Sequence, residues 1–434
     1  MVDRSVSSEG LVRGIRRWDL VAVTINGIIG AGIFGLPAKV YSLIGSYSLI
    51  AFIVCAAVVT LIILCFAEVG SRFEETGGPL VYAREAFGAT VGFEVGWLSW
   101  LARLTAFAAN CNLLVTYLGF FWSAATTPLP RATIITVIVV SLTVINFIGV
   151  RQTAIANDVF TIGKLVPMLI FIAVGLFFLS PPAYSFGPKP AFGAFSQSVL
   201  LLIYAFTGFE MAAIPAGEIQ DPRKNLPRAL LIATGVVATV YVLIQIVCIG
   251  TLPALASSGK PLADAAQNFM GTTGAAIISI GAIVSIAGNL NILVLSGSRL
   301  TFAFGENQQL PSFLAVIHRR FYTPYISIFL TSALMLVLTL KSSFVAAVTI
   351  SAIARLVTYA VTCAALPILR RRIEAPKALF HTPGGTIIAI ASLIIAAWLL
   401  IHSTWNEAIA AVVAAAIGLV IHLVYRYVAQ RRTS

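Results

Sequence analysis

Long apolar runs dominate the chain, and short polar segments separate them. A helix needs about 20 apolar residues to cross the roughly 30 Å of hydrocarbon in a bilayer. Runs of that length predict membrane helices rather than strands, and the segments between them are too short for a soluble domain. We therefore predict twelve transmembrane helices, at residues 20–42, 46–69, 92–121, 132–150, 158–179, 196–217, 229–252, 272–304, 324–340, 343–367, 386–402 and 407–427.

The composition is that of a chain whose main solvent is lipid. Apolar residues make up 59% of the 434 residues and charged residues 10%, with a mean hydropathy of +0.97. Soluble domains average about 45–50% apolar and about 25% charged residues. This excludes a soluble enzyme, a disordered chain and a secreted disulfide scaffold. The five cysteines lie in apolar runs and the four histidines form no cluster, so we expect no metal and no cofactor.

The net charge of +12 is explained by where the basic residues lie. Lys and Arg are concentrated in the two terminal segments and in the loops predicted on the same side, and few lie in the opposite loops. The positive-inside rule then places both termini in the cytoplasm, and nucleic acid is not needed as a partner. Residues 1–17 lack the apolar core of a cleavable signal peptide. We expect a multi-pass protein of the cell (plasma or inner) membrane.

Two of the predicted helices are interrupted at corresponding places. Residues 26–37, in the first run, hold four glycines and a proline, which is too many for a regular helix. The sixth run has the same spacing, because Gly30 precedes Pro37 by seven residues and Gly208 precedes Pro215 by seven. Small residues also permit close helix contacts. Interrupted first helices in two five-helix halves, however, indicate the binding site of a transporter.

A broken helix offers backbone groups of both signs. The helix that begins after the break exposes free N–H groups, which suit a carboxylate. The helix that ends before it exposes free carbonyl groups, which suit an ammonium group or a metal cation. A zwitterionic α-amino acid carries both kinds of charge, so the residues predict an amino acid as the substrate.

Three motifs resemble those of the amino acid–polyamine–organocation (APC) permeases. They are residues 27–37, residues 77–84, and residues 204–210 together with 217–227, and they come in the order and spacing of that family. The resemblance is specific for the family but does not select a substrate. It implies a leucine-transporter-type core of ten helices in a 5+5 inverted repeat, followed by two C-terminal helices. The predicted fold class is an all-α membrane protein with 12 transmembrane helices.

The same resemblance implies how the chain is divided. A cytoplasmic tail precedes a transport core made of two halves, and two accessory helices with a cytoplasmic end follow it. The boundaries are 1–17 for the tail, 18–370 for the core, 1–179 and 196–370 for the halves, and 371–434 for the accessory part.

The resemblance also implies a set of substrate-binding residues. The N–H groups that would bind the substrate carboxylate belong to Gly30, Ala31, Gly32 and Ile33. The carbonyl groups that would bind its ammonium belong to Ile28, Tyr204 and Thr207. Many relatives place an aromatic residue over the substrate at the position of Tyr204, and some have a serine hydroxyl that Ala31 lacks. Small residues at Ala31 and Gly208 leave room for a side chain, and we favour neutral amino acids.

Two ionisable residues within the spans are candidates for proton coupling, because a charge at mid-bilayer is costly and faces a cavity or a partner. In proton-coupled or ion-independent APC members, a fifth-helix lysine places its ammonium where sodium-dependent relatives bind sodium. Lys164 matches that lysine and would contact the break near Gly27; its alternative role is to reach the inner interface. Glu210 follows the sixth-run break. It is either a proton sensor or a fixed carboxylate that caps nearby donors.

Other polar residues within the spans have no partner that the sequence identifies. Arg103 and Arg355 are expected to be paired or hydrated, and either could influence the charge of the substrate. Four asparagines are interpreted as interhelical hydrogen-bonding residues or as cavity lining: Asn110, Asn112, Asn289 and Asn291.

The predicted activity is secondary active amino acid transport by alternating access, proton-coupled or sodium-independent. An amino acid exchanger and a polyamine or cationic amino acid carrier remain alternatives, as does a nutrient sensor that does not transport. A major-facilitator protein would carry a basic motif in the loop after the second run, and that loop has none. A membrane enzyme would need a nucleophile–base pair or metal ligands, and the sequence shows no signature of either. The expected partners are the amino acid, protons and the lipid bilayer, with the chain as a monomer or homodimer.

Overall fold

Helices account for the regular structure of the chain. The computed structural model describes residues 13–148, 150–342, 344–401 and 405–433, and the first twelve residues of the predicted tail lie outside it. Within these ranges there is no β-strand, and Ile15 and Ile219 form an isolated bridge. The α-helices are α1 (Arg17–Ile28), α2 (Ala31–Ile44), α3 (Ser48–Gly70), α4 (Pro79–Phe87), α5 (Ala89–Leu118), α6 (Pro128–Ile148), α7 (Val150–Gly175), α8 (Phe192–Phe206), α9 (Pro222–Thr251), α10 (Pro261–Glu306), α11 (Tyr325–Lys341), α12 (Phe344–Arg371), α13 (Gly385–Ile401) and α14 (Trp405–Thr433).

Many of these helices have the length and composition of membrane spans. In the described part of the chain, seven helical stretches are long and apolar enough to cross a bilayer: Ala31–Gly70, Ala89–Leu118, Pro128–Ile148, Phe192–Ala213, Pro222–Thr251, Pro261–Glu306 and Ser351–Arg371. Shorter apolar helices lie at Ile162–Phe178, Tyr325–Lys341, Gly385–Ile401 and Val412–Tyr425. The predicted all-α class is confirmed, and the count of twelve spans stays a prediction.

The predicted break in the first span is present. Helix α1 ends at Ile28 and α2 begins at Ala31, with Gly30 as the N-cap residue at φ −119° and ψ −142°. Pro37 lies inside α2 and does not end it. The interruption therefore comes from the glycine-rich stretch rather than from the proline.

The sixth span is also broken, but its second half differs from the predicted helix. Helix α8 ends at Phe206, and Gly208 then adopts the left-handed region at φ +114°. Two short 3₁₀ turns follow, at Phe209–Ala213 and Ala216–Glu218. Pro215 lies between them and has no N–H to donate, and 3₁₀ geometry is typical of such short irregular pieces. The α-helix predicted for 196–217 thus covers only the first half of that run.

Two further segments depart from simple spans. Helix α10 is kinked at Gly271, where φ is +65°, which separates a short N-terminal piece from the long predicted span that begins at residue 272. Helix α4 falls in the segment 71–91, a polar stretch that also holds apolar residues, and such a mixture is typical of an amphipathic helix at a membrane surface. Most of its residues are buried, and it packs against α5 and α12 inside the protein.

The broken helices lie in the middle of the helix packing. Helix α1 packs against α7 and α9, α2 packs against α8, and α10 crosses both α5 and α7. Around them, α5 also packs against α12, and the C-terminal helices α13 and α14 pack against α12 at the periphery of the helix bundle. Both breaks are therefore surrounded by protein, as non-helical backbone at membrane depth requires.

Candidate substrate-binding site

The two breaks meet through their backbones. A Cβ atom placed on Gly208 would overlap the carbonyl oxygen of Gly27, and one placed on Gly27 would lie 2.9 Å from the carbonyl oxygen of Gly208. One turn further, a Cβ atom on Gly32 would lie 2.6 Å from the Cα atom of Ala205. Real Cβ atoms do not make such contacts. Glycine is therefore required where the first and sixth spans touch.

A cavity lies beside this contact. Six of the sequence-predicted substrate residues line it: Ile28, Gly30, Ala31, Gly32, Tyr204 and Thr207. Six further residues complete the lining: Gly27, Ala106, Asn110, Met211, Asn289 and Arg355. The predicted residues Ile33 and Gly208 are not part of the lining. Ile33 is fully buried, and Gly208 is packed against Gly27.

The N–H groups at the start of α2 are partly occupied by side chains. The Ala31 N–H donates to Oδ1 of Asn110 at 2.8 Å. Asn110 donates in turn to Oδ1 of Asn289 at 2.9 Å, and Asn289 donates to the carbonyl oxygen of Gly27 at 2.6 Å. These two asparagines hydrogen-bond between helices and also line the cavity. Gly32 lies in the first turn of α2, where a helix provides no partner for the N–H groups.

The carbonyl groups predicted to bind an ammonium also have protein donors. The Ile28 carbonyl accepts from the Gly30 N–H at 2.9 Å and from the hydroxyl of Tyr241 at 3.3 Å. The Tyr204 carbonyl accepts from the Thr207 hydroxyl at 2.8 Å. Tyr241 was not predicted from the sequence, because a single tyrosine in an apolar run carries no signal of its orientation. The Thr207 N–H also donates to the Tyr204 carbonyl at 3.4 Å, so both lone pairs of that oxygen have a protein donor and a ligand there must displace or share one of them.

Lys164 contacts the first break. Its side chain is fully buried, and its Nζ donates to the carbonyl oxygens of Asn26 at 3.1 Å and Ile29 at 2.7 Å. The Ser285 hydroxyl donates to the same Ile29 carbonyl at 3.2 Å. The last carbonyls of a helix attract cations. The lysine therefore lies against the break and does not extend to the membrane interface, and its part in proton coupling stays a prediction.

Glu210 pairs with Arg355, which the sequence left without a partner. The carboxylate accepts from Nη1 of Arg355 at 2.7 Å and from the Tyr359 hydroxyl at 2.7 Å. It also accepts from the Gly208 N–H at 2.9 Å, next to the break. Of the two roles considered for Glu210, these contacts favour the fixed carboxylate that caps the donors of the broken helix.

Removing the charge of Glu210 is expected to lower the stability of the protein. Glu210→Gln leaves the Arg355 guanidinium buried beside a neutral side chain, and breaking a buried pair from one side costs about 3–5 kcal/mol. Thermal unfolding of the purified protein in detergent measures the effect. Glu74→Gln is the matched control, because Glu74 pairs with Arg13 at 2.6 Å but is 46% exposed. A surface pair contributes about 0–1 kcal/mol, and equal losses in the two variants would contradict the interpretation.

Comparison with known proteins gives the same assignment as the motifs. A family model described as "Amino acid permease" matches residues 15–421. The serine/threonine exchanger SteT of Bacillus subtilis is 30% identical over 396 residues, which cover 86% of this chain and 87% of the relative. The branched-chain amino acid permease BcaP of the same organism is 25% identical, with 98% and 95% covered. The methylthioribose transporter, also of B. subtilis, is 27% identical, with 96% and 94% covered.

The match spans both broken helices, the cavity and most of the C-terminal helices. The three relatives are named as a permease, a transporter and an exchanger. The chain is therefore a transporter and not an enzyme. The chain belongs to the amino acid permease family of the APC superfamily and is a membrane-embedded transporter.

Proposed function

We propose that this permease carries amino acids across the cell membrane by sodium-independent, proton-coupled alternating access. The observation that supports it most directly is the contact of Lys164 with the carbonyls of Asn26 and Ile29. The ammonium group fills the position at the broken helix where a bound cation would otherwise satisfy these carbonyls. A second cation in the same place would be repelled, so we expect no requirement for sodium.

The proposed topology has twelve spans with both termini in the cytoplasm. The broken pair α1–α2 forms the first span, α8 with its 3₁₀ turns forms the sixth, and α4 is not a span. Contacts between loops support the proposed sides. Segments predicted inside contact one another, as in the hydrogen bond from Arg223 to the Ser71 carbonyl at 3.0 Å. Segments predicted outside do the same, as in the hydrogen bond from Ser180 to the Gly250 carbonyl at 3.0 Å.

The substrate is proposed to bind by its α-groups to the main chain of the two breaks. Its carboxylate is expected at the N–H groups of Gly30, Ala31, Gly32 and Ile33. Its ammonium is expected at the carbonyls of Ile28, Tyr204 and Thr207. Asn110 already accepts from the Ala31 N–H, so substrate binding at that group requires this hydrogen bond to open or to be shared. We expect Tyr204, which lines the cavity, to cover the bound molecule.

Alternating access requires one side to be closed while the other opens. At the proposed inner face, the Ile15 N–H donates to the Glu218 carbonyl at 3.0 Å, and the Gln220 N–H donates back to Ile15 at 2.9 Å. Arg17 donates to Asn225 at 3.1 Å in the same region. We propose that this pairing closes the cytoplasmic side and separates when the first, second, sixth and seventh spans rock against the rest.

Exchange is the second candidate, since a relative at 30% identity is named a serine/threonine exchanger. Both activities use the same two breaks, so the distinction is kinetic. Proteoliposomes loaded with unlabelled amino acid accelerate uptake of a labelled one when the protein is an obligatory exchanger. Empty vesicles with an imposed inward proton gradient support uptake when it is a symporter.

Replacing sodium with choline is expected to leave uptake unchanged, because Lys164 supplies the cation at the first break. Purified protein in proteoliposomes, with a mixture of labelled amino acids, is the system to use. An inward proton gradient is expected to raise the initial rate about fivefold, roughly as a coupling of about 1 kcal/mol would. Uptake that requires sodium would overturn the proposal.

A further inference from the structure

A buried charge cluster lies next to the cavity and carries an excess positive charge. It consists of Arg103, Glu210, Arg355 and Tyr359, all of them at most 3% exposed. It holds two guanidinium groups and one carboxylate. Both arginines interact electrostatically with Glu210, and they repel one another. A buried charge without a counter-charge is unfavourable, so the cluster attracts an anion.

The carboxylate is already occupied by partners other than Arg103. Glu210 accepts from Arg355, Tyr359 and the Gly208 N–H. Within the described residues, the hydrogen bonds of Arg103 all go to neutral oxygens, the Ser296 hydroxyl at 3.2 Å and the Ser99 carbonyl at 2.5 Å. Its Nη2 is buried and has no hydrogen-bond partner in the part of the chain that the structure describes. Arg103 is therefore a guanidinium whose charge and donors are incompletely satisfied.

The cluster adjoins the place where a substrate side chain would lie. Arg103, Ala106 and Asn110 share one face of α5 at spacings of three and four residues, and Ala106 and Asn110 line the cavity. Arg355 lines it directly. In the part of the chain that the structure describes, no acidic side chain belongs to the lining. A ligand in the cavity thus meets, at Arg355, the edge of a cluster in which two guanidinium groups share one carboxylate.

We propose that the site takes an amino acid whose side chain carries a carboxylate, aspartate or glutamate. This rests on the proposed function, in which the α-groups bind the two breaks, and it replaces the neutral preference expected from the sequence. The side-chain carboxylate is directed to the Arg103–Arg355 side of the cavity, where charge-assisted hydrogen bonds to guanidinium groups are strong. A cationic side chain or a polyamine is rejected there by like charge.

Comparison of acids with their isosteric amides in wild-type protein tests the proposal. Proteoliposomes are assayed for uptake of labelled glutamate, aspartate, glutamine, asparagine and leucine, and for competition among them. Aspartate or glutamate is expected to compete at concentrations about tenfold or more below those of the matching amide. Equal or better competition by the amides overturns the proposal while leaving amino acid transport intact. Absence of uptake for every amino acid, with protons or in exchange, overturns the proposed function instead.

Variants of Arg103 separate its charge from its packing. Arg103→Gln removes the excess charge, and the ratio of acid to amide competition is expected to fall to about one. Arg103→Lys keeps the charge and is expected to keep most of the ratio. Arg131→Gln is the matched control, since Arg131 is a half-buried arginine bonded to Asn112 outside the cluster. An unchanged ratio in Arg103→Gln overturns the proposal.

Two further outcomes are decisive. If Arg103→Gln does not elute as a monodisperse peak in detergent, the wild-type ratio and the Arg103→Lys variant decide the question.

Chloride is an alternative anion for the cluster, so thermal stability is compared in chloride and gluconate. Stabilisation by chloride that equals stabilisation by glutamate overturns the proposal.

Discussion

Replacing Gly208 by alanine is expected to abolish uptake, reducing the initial rate about a hundredfold or more, as local strain of a few kcal/mol at the site would. The reason is steric and conformational at once. Gly208 has φ +114°, a conformation that residues with a Cβ atom rarely adopt. Its added methyl group would also overlap the carbonyl oxygen of Gly27. Both breaks would be displaced, together with the N–H and carbonyl groups proposed to bind the substrate.

The matched control is another glycine changed in the same way. A Cβ atom on Gly235, inside α9, meets no atom within 4 Å, and alanine is favoured over glycine in a helix by about 1 kcal/mol. Gly235→Ala is expected to transport normally. Initial rates of uptake are normalised to the amount of reconstituted protein. Equal rates in the two variants would show that the contact between the breaks is not needed for transport.

The reciprocal change should be milder. A Cβ atom on Gly27 would lie 2.9 Å from the Gly208 carbonyl oxygen, and Gly27 lies within helix α1. Its backbone conformation therefore accepts alanine, and Gly27→Ala adds the steric contact without the conformational strain. We expect Gly27→Ala to retain more uptake than Gly208→Ala. The order of the two variants distinguishes strain at Gly208 from simple crowding.

Local chemistry explains why the breaks were predictable and their details were not. Gly30 and Gly208 interrupt the helices because glycine destabilises a helix wherever it occurs. The 3₁₀ turns after Gly208 were not predicted, since four of the five residues Phe209–Ala213 are apolar and nothing in that pattern separates a 3₁₀ turn from an α-helix. Pro37 was expected to contribute to the first break, yet it lies within α2 and does not interrupt that helix.

Side-chain partners depend on how each helix is rotated, and rotation follows from packing of the whole bundle. Glu210 and Arg355 are 145 residues apart in the chain, and their pairing joins the sixth-span break to α12. An apolar span has little amphipathic pattern to fix its orientation, so this pair could not be identified from one sequence. The same limit applies to Ile33, which was expected in the site and does not line the cavity.

Lys164→Met is expected to reduce uptake about tenfold or more, and the loss should not be restored by sodium. Methionine has a similar length but donates no hydrogen bond, so the carbonyls of Asn26 and Ile29 lose the ammonium that contacts them at 3.1 and 2.7 Å. The Ile29 carbonyl would keep the Ser285 hydroxyl and the Asn26 carbonyl would keep Asn289, but both would lose their charged donor, which binds more strongly than a neutral one. The first break would then relax toward another conformation, and the charge proposed to couple transport to protons would be absent.

The measurement is the ratio of uptake with and without an inward proton gradient, which does not depend on how much active protein is reconstituted. In the wild type this ratio is expected to exceed one, and in any residual activity of Lys164→Met it should fall to one. Lys189→Met serves as the control because Lys189 is exposed in the loop before α8. It removes the same charge without touching a break, and its ratio should match that of the wild type. A Lys164→Met protein that keeps both its uptake and its response to the gradient would place proton coupling elsewhere in the molecule.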